Sequence, residues 1–261
     1  MGSGVVLGGM VIEAPAGDVT NWHDSPALHS PFAVARKAAV TQFVLHRGTE
    51  TRSNSPLATK RALEAHGRNL SSLFTLTPDG RIYQHFDPSE FRGRHATHHN
   101  VQSDSMDVQG PLSRKAPGAD GQTLLPLTVA IGLAPGKDGR QRDRAAVAHG
   151  AAAQREAVLT RRMVGIRQWS LTAAQADTIR IFLPWWCQLR GIPLRACSEY
   201  RTFRVGGLGV ADPVTAVTGI LAHGQCAGPG MRADGFVELE ALRTGPRGSG
   251  IEWRPGAEFW S

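Results

Sequence analysis

The chain has 261 residues, 41% hydrophobic and 20% charged, enough for a full core in one domain that carries insertions. Twenty-nine Lys and Arg against 22 Asp and Glu give a net charge of +7, a balance that favours an anionic partner. The basic residues are scattered, with no Lys/Arg block interleaved with aromatics, which argues against a dedicated nucleic-acid groove.

Residues 4–12 form an apolar run of about half the length needed to span a bilayer. No Lys or Arg precedes it and Glu13 follows at once, so neither a secretory signal nor a membrane span is expected. Residues 1–37 read as an extended lead-in. Residues 38–46, mostly β-branched and apolar, predict a buried central strand ending in His46. Open α/β sheets place ligands at that end of a strand, although a histidine there can equally cap a loop. Ser55 and Pro56 then open a helix that stops near Gly67.

Residues 72–77, Pro78-Asp79-Gly80 and residues 81–86 predict strand, tight turn and strand. The following loop, 91–100, holds His95, His98 and His99, as a metal tract or as a polar surface loop. Residues 103–109 predict a strand carrying Asp107 inward. Residues 111–168 read as an insertion, with a hairpin near 124–131 and an alanine-rich helical piece over 144–162. Thr172 and Gln175 make a capping box for an amphipathic helix ending at Gly191, in which Pro184 predicts a kink or an early break. Cys187, Cys197 and Cys226 are too few, and odd in number, for a disulfide framework.

The stretch 221–236 organises the rest. An apolar run delivers His223, and a loop with glycines at 224, 228, 230 and 235 returns Arg232 and Asp234. The separation 234 − 223 = 11 is too long for one helix face and suits a loop folding back on its origin. Such a gathering fits a metal site with an anion-stabilising partner, provided a second histidine arrives from elsewhere. Alone, His223 could be structural. Residues 244–261 read as an ordered tail or a piece of a contact surface.

Taken in order, these pieces resemble the zinc-dependent N-acetylmuramoyl-L-alanine amidases of the amidase-2 family, which includes phage amidases and peptidoglycan recognition proteins. Val-Leu-His at 44–46 is similar to that family's strand ending in its first zinc histidine. His95-Ala96 with Asn100 is similar to its His-Ala element and following asparagine, and residues 103–109 to its Ser-Ile-Gly-Ile-Glu strand. Thr172 to Gln175 resembles the opening of its long helix, and His223-Gly224 with Arg232 to Gly235 its second histidine and Lys-x-Asp-Pro-Gly loop.

The resemblance implies an α/β fold, a central mixed β-sheet flanked by helices, over residues 38–243 with the insertion inside it. It implies Zn²⁺ held by His46, His223 and Asp234, with Asp107 as proton carrier and Arg232 steadying an oxyanion. Ser72, His95 and Asn100 would contact a peptidoglycan or muropeptide substrate. The activity implied is hydrolysis of the amide between N-acetylmuramic acid and L-alanine, and the alternative is a muropeptide-binding module without catalysis. Four departures stand out. Asp107 replaces a glutamate, and Ser72 falls where phage relatives carry tyrosine. The loop from His223 to Asp234 is one residue longer and runs from Gly235 into Phe236. Cys226 is a second candidate for the third ligand.

Overall fold

The computed structural model describes residues 4–16, 18–47, 55–65, 69–110, 112–113, 122–131, 160–169, 171–198, 202–205, 217–226, 236–245 and 250–259. Strands β1 (Val5–Leu7), β2 (Met10–Ile12), β3 (Val19–Thr20) and β4 (Val34–Ala35) precede β5 (Gln42–Arg47) and helix α1 (Pro56–Glu64). Next come β6 (Phe74–Leu76), β7 (Ile82–Gln84), β8 (Phe91–Arg92) and β9 (Ser103–Val108), then β10 (Leu112–Ser113), β11 (Gln122–Ile131) and β12 (Thr160–Trp169). Helix α2 (Ala173–Arg190) leads to β13 (Arg195–Cys197), β14 (Thr202–Val205) and β15 (Gly219–Ala222). Helix α3 (Phe236–Thr244), β16 (Glu252–Arg254) and the short α4 (Gly256–Phe259) follow.

The principal sheet has eight strands in the order β16-β13-β15-β5-β9-β6-β7-β3. The first six are parallel, β7 is antiparallel to β6, and β3 runs parallel to β7. This is the expected mixed sheet flanked by helices. The lead-in contributes β3 to its edge and buries Val19 and Leu28, and the tail contributes β16 and buries Phe259. A four-stranded sheet, β10-β12-β11-β14, occupies the region read as an insertion and also recruits residues 202–205. The helix expected over 144–162 overlaps β12 at residues 160–162, where strand pairing with β11 prevails; its remainder lies outside the described residues.

Residue alternation decides what each face of the central strands meets. Phe43, Leu45, Phe74, Met106 and Val108 join the core beneath α2, whose Ile179, Phe182, Leu183 and Trp186 are fully buried. Phe74 meets Phe182 and Trp186 edge-on, at centroid distances of 5.2 and 4.9 Å. The capping box at Thr172 forms both of its bonds, Gln175 N to Thr172 Oγ1 at 3.0 Å and Thr172 N to Gln175 Oε1 at 3.1 Å. Gly191 ends the helix in the left-handed conformation. Pro184 does not break α2 early: its neighbours Leu183, Trp186 and Cys187 are packed against the sheet, and burial of that face offsets one missing backbone bond.

Two glycines have backbone reasons. Gly80, at φ +82, turns β6 into β7 directly under α2, where a Cβ would lie 3.0 Å from that of Ala174. Gly219, at φ +118, opens β15 so close to β13 that a Cβ would sit 2.3 Å from the Arg195 carbonyl oxygen. The β1-β2 hairpin is tied down at long range, because the Gln84 side chain accepts from Val6 N at 2.7 Å and donates to Val6 O at 2.8 Å.

His85 is buried, with Nδ1 donating to the Leu28 carbonyl at 2.8 Å and Nε2 accepting from the Thr75 hydroxyl at 2.8 Å. Burial lowers its pKa from 6.5 to about 4, against the opposing pull of the Leu28 carbonyl and with a smaller push from Lys60. Between those values the unfolded chain binds the proton and the folded chain does not. The contribution to stability is therefore complete above pH 6.5 and is lost as pH falls toward 4. Denaturant unfolding across this interval is expected to show wild-type protein losing roughly 3 kcal/mol through this group. His85→Gln should lose that much less, and an equal loss in both proteins would remove His85 as the source.

Candidate functional site

The second face of the central strands carries polar side chains. Since Phe43 and Leu45 point to α2, Gln42, Val44 and His46 point the other way, as do Ser103, Ser105 and Asp107 on β9. Parallel register sets His46 beside Asp107 and Asp107 beside Thr75, and antiparallel register sets Thr75 beside Tyr83. On the other flank Ala222 pairs with Leu45, so the next residue, His223, arrives beside His46 with ring centroids 4.3 Å apart. Gln225 closes the turn there, its side chain accepting from Ala222 N at 2.9 Å. One level of the sheet thus holds His223, His46, Asp107, Thr75 and Tyr83, near the carboxyl ends of the parallel strands.

His95 completes this group from the loop before β9. Its Nδ1 lies 3.0 Å from Nε2 of His46, and its Nε2 lies 3.1 Å from the Ser103 hydroxyl. The Asn100 side-chain oxygen accepts from the backbone N–H of His95 at 2.8 Å and of Ala96 at 2.6 Å, which fixes the loop that presents His95. Burial, followed by the neighbouring imidazoles His223 and His95, holds His46 neutral well below its ordinary range. Burial and then His223 and His99 do the same for His95.

Of the residues singled out in the sequence, His46, His223, Asp107 and His95 are brought together. Ser72 is buried one level down, its hydroxyl 3.0 Å from that of Ser105. Asn100 is partly buried and engaged with the loop backbone. Arg232 and Asp234 lie outside the described residues. Cys226 is buried in an apolar cluster with Val44, Cys197, Leu221 and Phe259. The sequence reading overlooked Gln42, Thr75 and Ser103. The signal for Ser103 was present, since Ser103, Ser105 and Asp107 are the polar alternates of a strand whose other face reaches the core.

Two imidazoles at adjacent strand ends are donors of the kind zinc takes, and a carboxylate lies in register beside one of them. The donor chemistry fits Zn²⁺. Among the described residues, no group of three His, Cys, Asp or Glu side chains that could hold a metal ion is formed.

No protein-family model matches the chain, and no curated protein matches it. Solved structures similar to it include the endolysin N-acetylmuramoyl-L-alanine amidase LysCS from Clostridium intestinale URNW, at 9% identity and a TM-score of 0.41, covering 88% of this chain and 95% of that one. The Ph2119 endolysin from the Thermus scotoductus MAT2119 bacteriophage is 15% identical with a TM-score of 0.30. That match covers 35% of this chain and 60% of the endolysin, less than two thirds of its length. Drosophila peptidoglycan recognition protein LB is 17% identical with a TM-score of 0.30, over 39% of this chain and 65% of that one.

Proposed function

We propose that this protein is a zinc-dependent peptidoglycan hydrolase that cleaves the amide between N-acetylmuramic acid and L-alanine. The observation that carries this reading is the pairing of His46 and His223, from strands far apart in sequence, with Asp107 in register beside His46. His46, His223 and Asp234 would hold the metal. Zn²⁺, when bound, supplies a Lewis acid that polarises the scissile carbonyl and acidifies a water. Asp107 takes the proton of the attacking water and later delivers it to the leaving amine. Arg232 offers a fixed positive charge to the oxygen that becomes anionic in the transition state, an interaction worth about 3 kcal/mol. The net charge of +7 suits an anionic cell-wall polymer.

Purified protein is expected to carry about one zinc per chain, and chelation should abolish release of soluble peptide from purified cell wall. His46→Ala and His223→Ala should each lose the metal. Full activity in excess chelator would sink the proposal, and loss of zinc from only one variant would break the pairing. The shorter carboxylate at 107 favours a second reading, a muropeptide-binding module. Binding of muropeptide and zinc without cleavage by wild-type protein would establish it.

A further inference from the structure

The hydrogen bonds leading away from His46 have a direction that can be counted proton by proton. The Ser103 hydroxyl lies 2.6 Å from the His99 carbonyl oxygen, which carries no proton, so the hydroxyl donates there. Having spent its one proton, Ser103 Oγ can only accept from His95 Nε2 at 3.1 Å. A neutral His95 protonated at Nε2 has a bare Nδ1, which must accept from His46 Nε2 at 3.0 Å. A neutral His46 protonated at Nε2 has its lone pair on Nδ1.

We infer that Ser103, acting through His95, fixes His46 as the Nε2–H tautomer and leaves Nδ1 as its metal-ligating nitrogen. Ser103 and His95 are positioning residues. The chain of bonds is buried, with Ser103 at 0%, His46 at 5% and His95 at 9% exposure, so water does not compete for its members. Its far end is anchored as well. Gln42 Nε2 donates to the Val217 carbonyl at 2.6 Å, which leaves Gln42 Oε1 to accept from His99 Nδ1 at 2.9 Å and holds the residue whose carbonyl receives the Ser103 proton. Gln42 and Ser103 lie on one sheet face, as register partners on β5 and β9. Partners of this kind orient a ligating imidazole, and their removal typically weakens metal binding by about ten- to a hundredfold.

The metal-binding part of this inference rests on the proposed zinc site, whereas the tautomer does not. Long-range ¹H–¹⁵N correlation spectra of ¹⁵N-histidine-labelled, metal-free protein at neutral pH read it directly. Wild-type protein is expected to show His46 and His95 both protonated at Nε2. Ser103→Ala should give mixed tautomers at both histidines and weaken zinc binding by about ten- to a hundredfold, while Ser103→Thr, which keeps the hydroxyl, should restore both. A wild-type spectrum with His46 protonated at Nδ1 overturns the inference even if Ser103→Ala does not fold, and so does a folded Ser103→Ala protein with unchanged tautomers. If wild-type protein has the expected tautomers and binds no zinc, the proposed function fails and the tautomer assignment stands.

Discussion

Asp107→Asn is expected to keep zinc and muropeptide binding and to lose turnover by roughly a hundred- to ten-thousandfold. The expectation follows from position. Asp107 is 4% exposed, in register with His46 on one side and Thr75 on the other, and is the carboxylate that the described residues place beside the paired histidines. Asparagine has nearly the same shape and cannot take a proton, so zinc content and binding separate a chemical defect from a structural one. Near-normal turnover in Asp107→Asn would reduce the residue to a structural part of β9. Asp107→Glu adds one methylene and is expected to preserve or raise activity. Cleavage appearing only with glutamate would favour the binding-module reading of the wild-type chain.

The largest expected loss of stability lies on the opposite face of the same strand. Asp104 is fully buried and receives Arg36 Nη2 at 2.6 Å, Arg190 Nε at 3.0 Å and Trp186 Nε1 at 3.1 Å. One carboxylate thus compensates two guanidinium groups. Burial, opposed by Asp104 and then reinforced by Arg190, already lowers the Arg36 pKa. Asp104→Ala leaves both buried cations and the indole N–H without their shared carboxylate, and should cost about 3–5 kcal/mol in denaturant unfolding. Asp104→Asn keeps the shape and loses the charge, so a comparable loss there would identify charge compensation as the cause. A cost below about 1 kcal/mol for alanine, the range of an exposed pair, would show that the cluster relaxes into water.

What was legible in the sequence was local. The capping box at Thr172, the stop at Gly191 and the alternation of β9 are set by neighbours within a few residues, and each forms as read. The pairing of His46 with His223 was legible only through the order of several weak motifs, because nothing in either stretch specifies that β15 lies beside β5. Features that depend on distant partners were missed. Gln84 gains its role only from Val6, 78 residues away, and the place of His95 beside His46 depends on the loop that Asn100 fixes, which has no periodicity to read. The early break that Pro184 suggests fails for the converse reason: local chemistry disfavours proline there, while the packing of α2 on the sheet carries the helix through it.

The position of β15 bears on synthesis. It is an interior strand, between β13 and β5, yet it comes late: Gln42 and its bonding partner Val217 are 175 residues apart. While the chain emerges from the ribosome, one edge of β5, with Phe43, Val44 and Leu45, remains unpaired until the residues after 217 are made. An open apolar edge is a template for association with other chains. Nascent protein is thus exposed to aggregation for most of its translation, and premature termination before β15 should leave insoluble fragments rather than a smaller folded domain.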